Sequence, residues 1–102
     1  MKITRFEDLK GLAPLDNMYF VYVLRSEKDK DFYTGYTKNL QERVEEHNKG
    51  TVESTNHRRP LKLVYYEACL NGYDAVKRER YLKTSWGKRY LKSRLGNYLK
   101  SI

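Results

Sequence analysis

Apolar positions fall into three short runs without helical period and a later stretch that has one. The first run is MYFVYVL, Met18 to Leu24, aromatic and β-branched, which predicts a strand. The polar SEKDKD predicts a turn, and FYTGY, Phe32 to Tyr36, a second strand, so the two form a hairpin with a long loop. Asn39 then reads as a helix N-cap, with Glu42 three positions on as in a capping box. The helix runs LQERVEEHNK and stops at Gly50. TVESTNHRRP is a polar, basic loop closed by Pro60, and LKLVYYEAC, Leu61 to Cys69, is the third strand. Asn71-Gly72 reads as a turn, and Asp74 to Lys83 as a helix. Trp86, Tyr90, Leu91, Leu95 and Leu99 keep a helical period, which predicts a last helix from Ser85 to Leu99.

The predicted order is ββαβαα, with no repeat and no low-complexity tract. It describes an α+β domain: a three-stranded antiparallel sheet flanked by helices, over residues 18–102. Residues 1–17 read as an N-terminal extension. Gly11, Pro14, Asp16 and Asn17 interrupt any long helix there, and only TRFEDLKGL has the form of a short one, with Thr4 as cap.

Composition narrows the classes. With 102 residues the chain has room for one domain and one modest core. Hydrophobic residues are 39% and charged residues 33%, which excludes a disordered chain. No apolar run approaches the ~20 residues of a membrane span, and the N-terminus has no signal-peptide stretch, so no membrane is expected and the expected location is cytoplasmic. The single cysteine, Cys69, excludes an internal disulfide and suits a reducing compartment. One cysteine and two histidines make a poor structural zinc set.

Charge changes the picture more. Lys+Arg outnumber Asp+Glu 21 to 13, a formal net charge of +8. An excess of that size favours an anionic partner, with nucleic acid first; the bland alternative is a basic surface that serves solubility. Ten tyrosines against three phenylalanines suit a wet, ligand-facing surface as well as a core.

Three placements carry candidate chemistry. Tyr22 and Tyr33 lie on paired strands, where two side chains can meet on one face. Arg43 and His47 are an i, i+4 pair on one face of the first helix. Taken alone, that pair reads as a solvated charge and a capping or core histidine. Glu79 falls on or beside the inward face of the second helix, where a carboxylate is costly unless paired or holding a metal. It reads either as half of a buried bridge to an arginine such as Arg43, or as a ligand for a hard divalent cation.

In order along the chain, these residues resemble the motifs of the GIY-YIG nucleases. Phe20-Val21-Tyr22 resembles the GIY tripeptide, matching strictly at its tyrosine, and Tyr33-Thr34-Gly35 resembles YIG. TGYTKNLQERVEEHNKG is similar to the segment that follows, with its arginine at Arg43 and its histidine at His47. RRPLKLVYYE and DAVKRERYLK resemble the third strand and glutamate-bearing helix of small stand-alone members, akin to the GIY-YIG domain of excision-repair nucleases. The likeness spans about Tyr19 to Lys83, and four motifs in order are far more specific than any one tripeptide.

The resemblance implies hydrolysis of phosphodiester bonds with one divalent ion, Mg²⁺ or Mn²⁺. The substrate it implies is DNA more than RNA, structured or damaged, as in DNA repair. By the same carry-over, Tyr22 or Tyr33 would activate the attacking water, Arg43 would stabilise charge on the phosphate, His47 would assist proton transfer, and Glu79 would hold the metal. Tyr36 follows the glycine where DNA-repair relatives carry a lysine, with Lys38 as its substitute; Asn97 matches a family asparagine by type only.

A binding surface is expected from His57, Arg58 and Arg59 as a phosphate clamp, and from Lys83, Lys88 and Arg89 on the last two helices, with Trp86 among them. A second reading keeps the fold as a nucleic-acid-binding module without turnover, separable by metal-dependent nicking. A third, a basic face for an acidic protein, predicts no nucleic-acid affinity. With no second domain to read sequence, a protein partner is expected to supply specificity.

Overall fold

The computed structural model describes residues 17–102; the expected extension falls almost wholly on residues 1–16, outside the described residues. Three strands, β1 (Tyr19–Ser26), β2 (Phe32–Thr37) and β3 (Leu61–Cys69), form one antiparallel sheet in the order β2-β1-β3. The helices are α1 (Leu40–Lys49), α2 (Gly72–Leu82), α3 (Ser85–Arg94) and α4 (Gly96–Lys100). The expected α+β architecture is what the chain adopts.

The central strand explains its own composition. Phe20, Tyr22 and Leu24 point to one face of the sheet, where they pack with Leu40 and Leu61. Val21 and Val23 point to the other, against Ala75, Leu82 and Leu91 of α2 and α3. Both faces of β1 are therefore covered, and an unbroken apolar run results where a one-sided strand would alternate. A cluster outside this core ties β3 to the helices: Arg78 Nε donates to Glu67 Oε1 at 2.7 Å, while the Tyr65 hydroxyl donates to Glu67 Oε2 at 2.8 Å.

Two helix boundaries differ from expectation, each for a local reason. The Asn71 side chain accepts hydrogen bonds from Tyr73 N and Asp74 N, so the pair read as a turn is the N-cap of α2, which starts at Gly72. The expected single last helix stops at Arg94 and resumes as α4, because Gly96 lowers helix propensity at that point. The start of α1 follows expectation: Asn39 Oδ1 accepts from Glu42 N. Its reciprocal bond differs from a capping box, since the Glu42 carboxylate accepts from Asn39 Nδ2 and the Asn39 backbone N–H goes to Thr37 Oγ1. Gly50 ends α1 at φ 84°, the left-handed conformation that favours glycine.

The polar loop before β3 is tied down. Ser26 is fully buried; its Oγ donates to Arg58 O at 2.6 Å and accepts from the backbone N–H of Lys28 and Asp29. Arg58 Nε donates to Asp29 Oδ2 at 2.6 Å. At the other end of the loop, Asn48 brackets the backbone of Leu61, accepting from its N–H and donating to its carbonyl, both at 2.8 Å. Loop, hairpin turn and α1 thus become one rigid unit beneath the tyrosine-bearing face.

Candidate active site

Tyr22 and Gly35 are cross-strand partners, and Tyr33 pairs with Leu24 one step along. Tyr22 and Tyr33 therefore occupy diagonal positions on one face. The Tyr22 ring lies directly over Gly35: a Cβ there would come within 2.5 Å of the phenol oxygen. The glycine of the YTG tripeptide is thus the seat of the other motif's tyrosine.

The first helix covers this face. Its buried His47 stands edge-on to both tyrosines, ring centroids 5.7 Å from Tyr22 and 5.0 Å from Tyr33. His47 Nε2 is 2.8 Å from Tyr22 Oη, and Nδ1 is 2.8 Å from the hydroxyl of Thr55 in the loop before β3. Arg43, one turn earlier, directs its guanidinium at Tyr22 Oη and also reaches Glu46 Oε2 at 3.2 Å. Four residues far apart in sequence converge on one phenol oxygen.

Burial sets the protonation of the group. It pushes the Tyr22 phenol up to about 12, against the lowering effect of the Arg43 hydrogen bond; Tyr33 and Glu79 add a smaller raising effect. Burial also pulls His47 down to about 4, helped by the charge of Arg43 and opposed by Glu46. At neutral pH the centre is a neutral phenol, a neutral imidazole and a guanidinium. Hydrogen bonding to Tyr22 keeps Arg43 more firmly charged.

Glu79 approaches from α2. Its side chain is only 16% exposed, and its charge is felt at Tyr22. The bridge to Arg43 is not made: Arg43 pairs with Glu46, and Glu79 pairs with Lys83 Nζ at 3.6 Å. The reason is helical spacing, since Glu46 and Lys83 lie one turn from their partners. One carboxylate at 16% exposure matches the donor set Mg²⁺ takes, in which waters and substrate phosphate complete the shell.

The expected binding residues divide. Lys83 and Lys88 line a cleft of about 160 Å³ with Phe32, Tyr33 and Thr34, so they adjoin the tyrosine site. Arg89 lies 4.3 Å from the exposed Trp86 ring, a cation–π contact. His57 is exposed, and Arg59 donates to Asn56 O at 2.8 Å while remaining largely open. Arg58 does not join them as a clamp, because Asp29 and the carbonyl of Phe32 occupy its guanidinium. Lys38 lies over the Tyr19 ring, which packs with Val21 and Val23 on the other face from Tyr22. Asn97 is exposed on α4. Thr55 and Ser26 escaped the sequence reading, since a lone hydroxyl residue in a polar stretch looks like any solvated loop position.

A family model described as the GIY-YIG catalytic domain matches residues 18–92. A UPF0213 protein of Pediococcus pentosaceus is 46% identical over 71 residues, covering 69% of this chain and 74% of that one. A UPF0213 protein of Clostridium perfringens is 45% identical over 67 residues, covering 65% and 71%. The solution structure of a UPF0213 protein from Bacillus halodurans has a TM-score of 0.48 at 30% identity, covering 74% of this chain and 83% of its own. With the family match spanning most of the chain, and with curated relatives above 40% identity, the protein belongs to the GIY-YIG nuclease family.

Proposed function

We propose that the protein is a divalent-metal-dependent endonuclease that hydrolyses phosphodiester bonds in DNA. The observation that carries this reading is the convergence of His47 and Arg43 on the Tyr22 hydroxyl, with Tyr33 and the Glu79 carboxylate beside it. Attack on a phosphodiester gathers negative charge on the phosphate oxygens, and a fixed guanidinium lowers that barrier. Arg43 is the charge clamp. Tyr22 is the base or the group that orients the attacking water, and Tyr33 positions the phosphate across the same face. Glu79 holds the cation, exchanging its Lys83 contact for it. Bound there, Mg²⁺ or Mn²⁺ supplies positive charge to the reacting phosphate.

Substrate docking draws on Lys83 and Lys88 in the cleft, with Arg89, His57 and Arg59 further out and Lys38 at the sheet edge. The net charge of +8 supports a polyanionic substrate. Structured or damaged DNA, as in repair, is the proposed target, with a protein partner supplying specificity where sequence must be read.

The test is cleavage of supercoiled plasmid, branched DNA and single-stranded DNA with Mg²⁺ or Mn²⁺ against chelator, beside Glu79→Ala. Nicking that needs metal and vanishes in the variant is the expected result. Salt-sensitive binding of the same substrates without any cleavage would sink the enzyme reading in favour of a binding module.

A further inference from the structure

Thr55 lies in the polar loop between α1 and β3, yet it is fully buried. The loop holds it firmly: Thr55 N donates to Val52 O at 3.1 Å, and Arg58 N donates to Thr55 O at 2.9 Å. The Ser26 and Asp29 contacts of Arg58 then tie that backbone to the hairpin turn. Its hydroxyl meets His47 Nδ1 at 2.8 Å, and among the described residues Oγ1 has no other hydrogen-bond partner.

The hydrogens can be assigned by counting donors. A threonine hydroxyl has one hydrogen, and a neutral imidazole has one N–H and one bare nitrogen. Were Nδ1 the protonated nitrogen, it would donate to Oγ1 and leave the buried hydroxyl hydrogen without an acceptor, which is costly. With the hydroxyl donating to Nδ1, both groups are satisfied and the imidazole hydrogen sits on Nε2. Nε2 then donates to Tyr22 Oη, 2.8 Å away. Arg43 donates to the same oxygen, since a guanidinium has no acceptor. Tyr22 Oη accepts two hydrogen bonds, and its own hydrogen leaves in a third direction.

We propose that Thr55 is a positioning residue that holds His47 as the Nε2–H tautomer, so that His47 and Arg43 both donate to Tyr22 Oη and the phenolic proton points into the open site. Its catalytic consequence, though not the tautomer itself, rests on the nuclease reading. His47 then does not receive the proton of Tyr22, because Nε2 already carries one and Nδ1 is engaged by Thr55. Protons reach and leave Tyr22 on the substrate side, and two fixed donors stabilise negative charge on its oxygen. His47 thus tunes the tyrosine and does not carry its proton.

The experiment is ¹⁵N NMR of the His47 ring in the full chain at neutral pH, with chelator and without nucleic acid. Nε2 should resonate as a protonated nitrogen and Nδ1 as a bare, hydrogen-bonded one. The Thr55 hydroxyl proton should be protected from exchange and coupled to Nδ1. A protonated Nδ1, or a freely exchanging Thr55 hydroxyl, overturns the proposal in the unmodified protein, whatever the variants do. Thr55→Ser should keep the ring signature and activity within about three-fold. Thr55→Val should lose the Nδ1 hydrogen-bond shift and lower kcat by about ten-fold or more with KM little changed, because tautomer control acts on the chemical step. A folded Thr55→Val with unaltered ring resonances also overturns it. A chain that shows the tautomer but cuts no DNA refutes the nuclease reading and leaves this assignment of Thr55 standing.

Discussion

Two residues on opposing strands, Tyr22 and Gly35, define the centre of the site, and each sets the tolerance of the other. Gly35→Ala would drive a methyl into the Tyr22 ring, so we expect a folded protein whose cleavage falls at least about ten-fold, because small misplacements of a reacting group are costly. Steady-state kinetics beside circular dichroism checks this; normal activity would show that Tyr22 needs no such seat. Tyr22→Phe should abolish cleavage and also destabilise by about 1–3 kcal/mol, since it strips a buried imidazole nitrogen of its partner. The neutral state of His47 has its own signature. Burial depresses its folded pKa to about 4 from 6.5, so the unfolded chain takes up a proton first as pH falls. Stability should be full above pH 6.5 and decline toward pH 4, by about 1–3 kcal/mol in all. Urea unfolding across that range measures it, and His47→Gln should flatten the slope. The motif residues were legible because each departs from its surroundings: an arginine beside an apolar stripe, a carboxylate on an inward face. Thr55 was not, since its burial depends on a loop whose path local sequence does not specify.

At the scale of elements, the helix–loop–strand unit carrying Arg43, His47 and Thr55 is held by contacts made with the hairpin turn. Arg58→Ala should leave the sheet intact, raise hydrogen exchange in residues 51–60 first, and reduce cleavage without touching substrate. Exchange that rises uniformly across the chain would refute this tether. A similar fit joins α2 to α3. A Cβ on Gly87 would collide with the backbone of Tyr81 and Leu82, which cannot move aside as a side chain can. Gly87→Ala is expected to cost about 1–3 kcal/mol, read as a loss in denaturant midpoint. The capped start of α1 was legible, because Asn39 and Glu42 act within one turn. The boundary between α3 and α4 was not, since the apolar period runs through Gly96 unbroken.

The whole molecule is a polycation with an aromatic platform. If its substrate is nucleic acid, affinity should fall about ten-fold or more between roughly 50 and 200 mM salt, through counterion release. The single tryptophan gives a direct reading. Trp86 is 68% exposed with Arg89 over one side of its ring, so oligonucleotide binding should quench its fluorescence, and Trp86→Ala should cost about 1–3 kcal/mol of affinity. Quenching absent while anisotropy reports binding would place the strand elsewhere.

What the sequence alone determined were the features written in local periodicity and spacing. These are the strands, the capped helix, the ββαβαα order, the positive charge, and the Tyr-Tyr-Arg-His-Glu set that marks the family. Local rules suffice there because caps, alternation and helical faces involve residues a few positions apart. Tertiary structure alone decided how charged and polar groups pair. It gave Glu46 to Arg43 and Lys83 to Glu79, took Arg58 out of the open surface, and set Thr55 against His47. Several partners compete for each such group, and only the packed chain determines which lies within hydrogen-bonding distance.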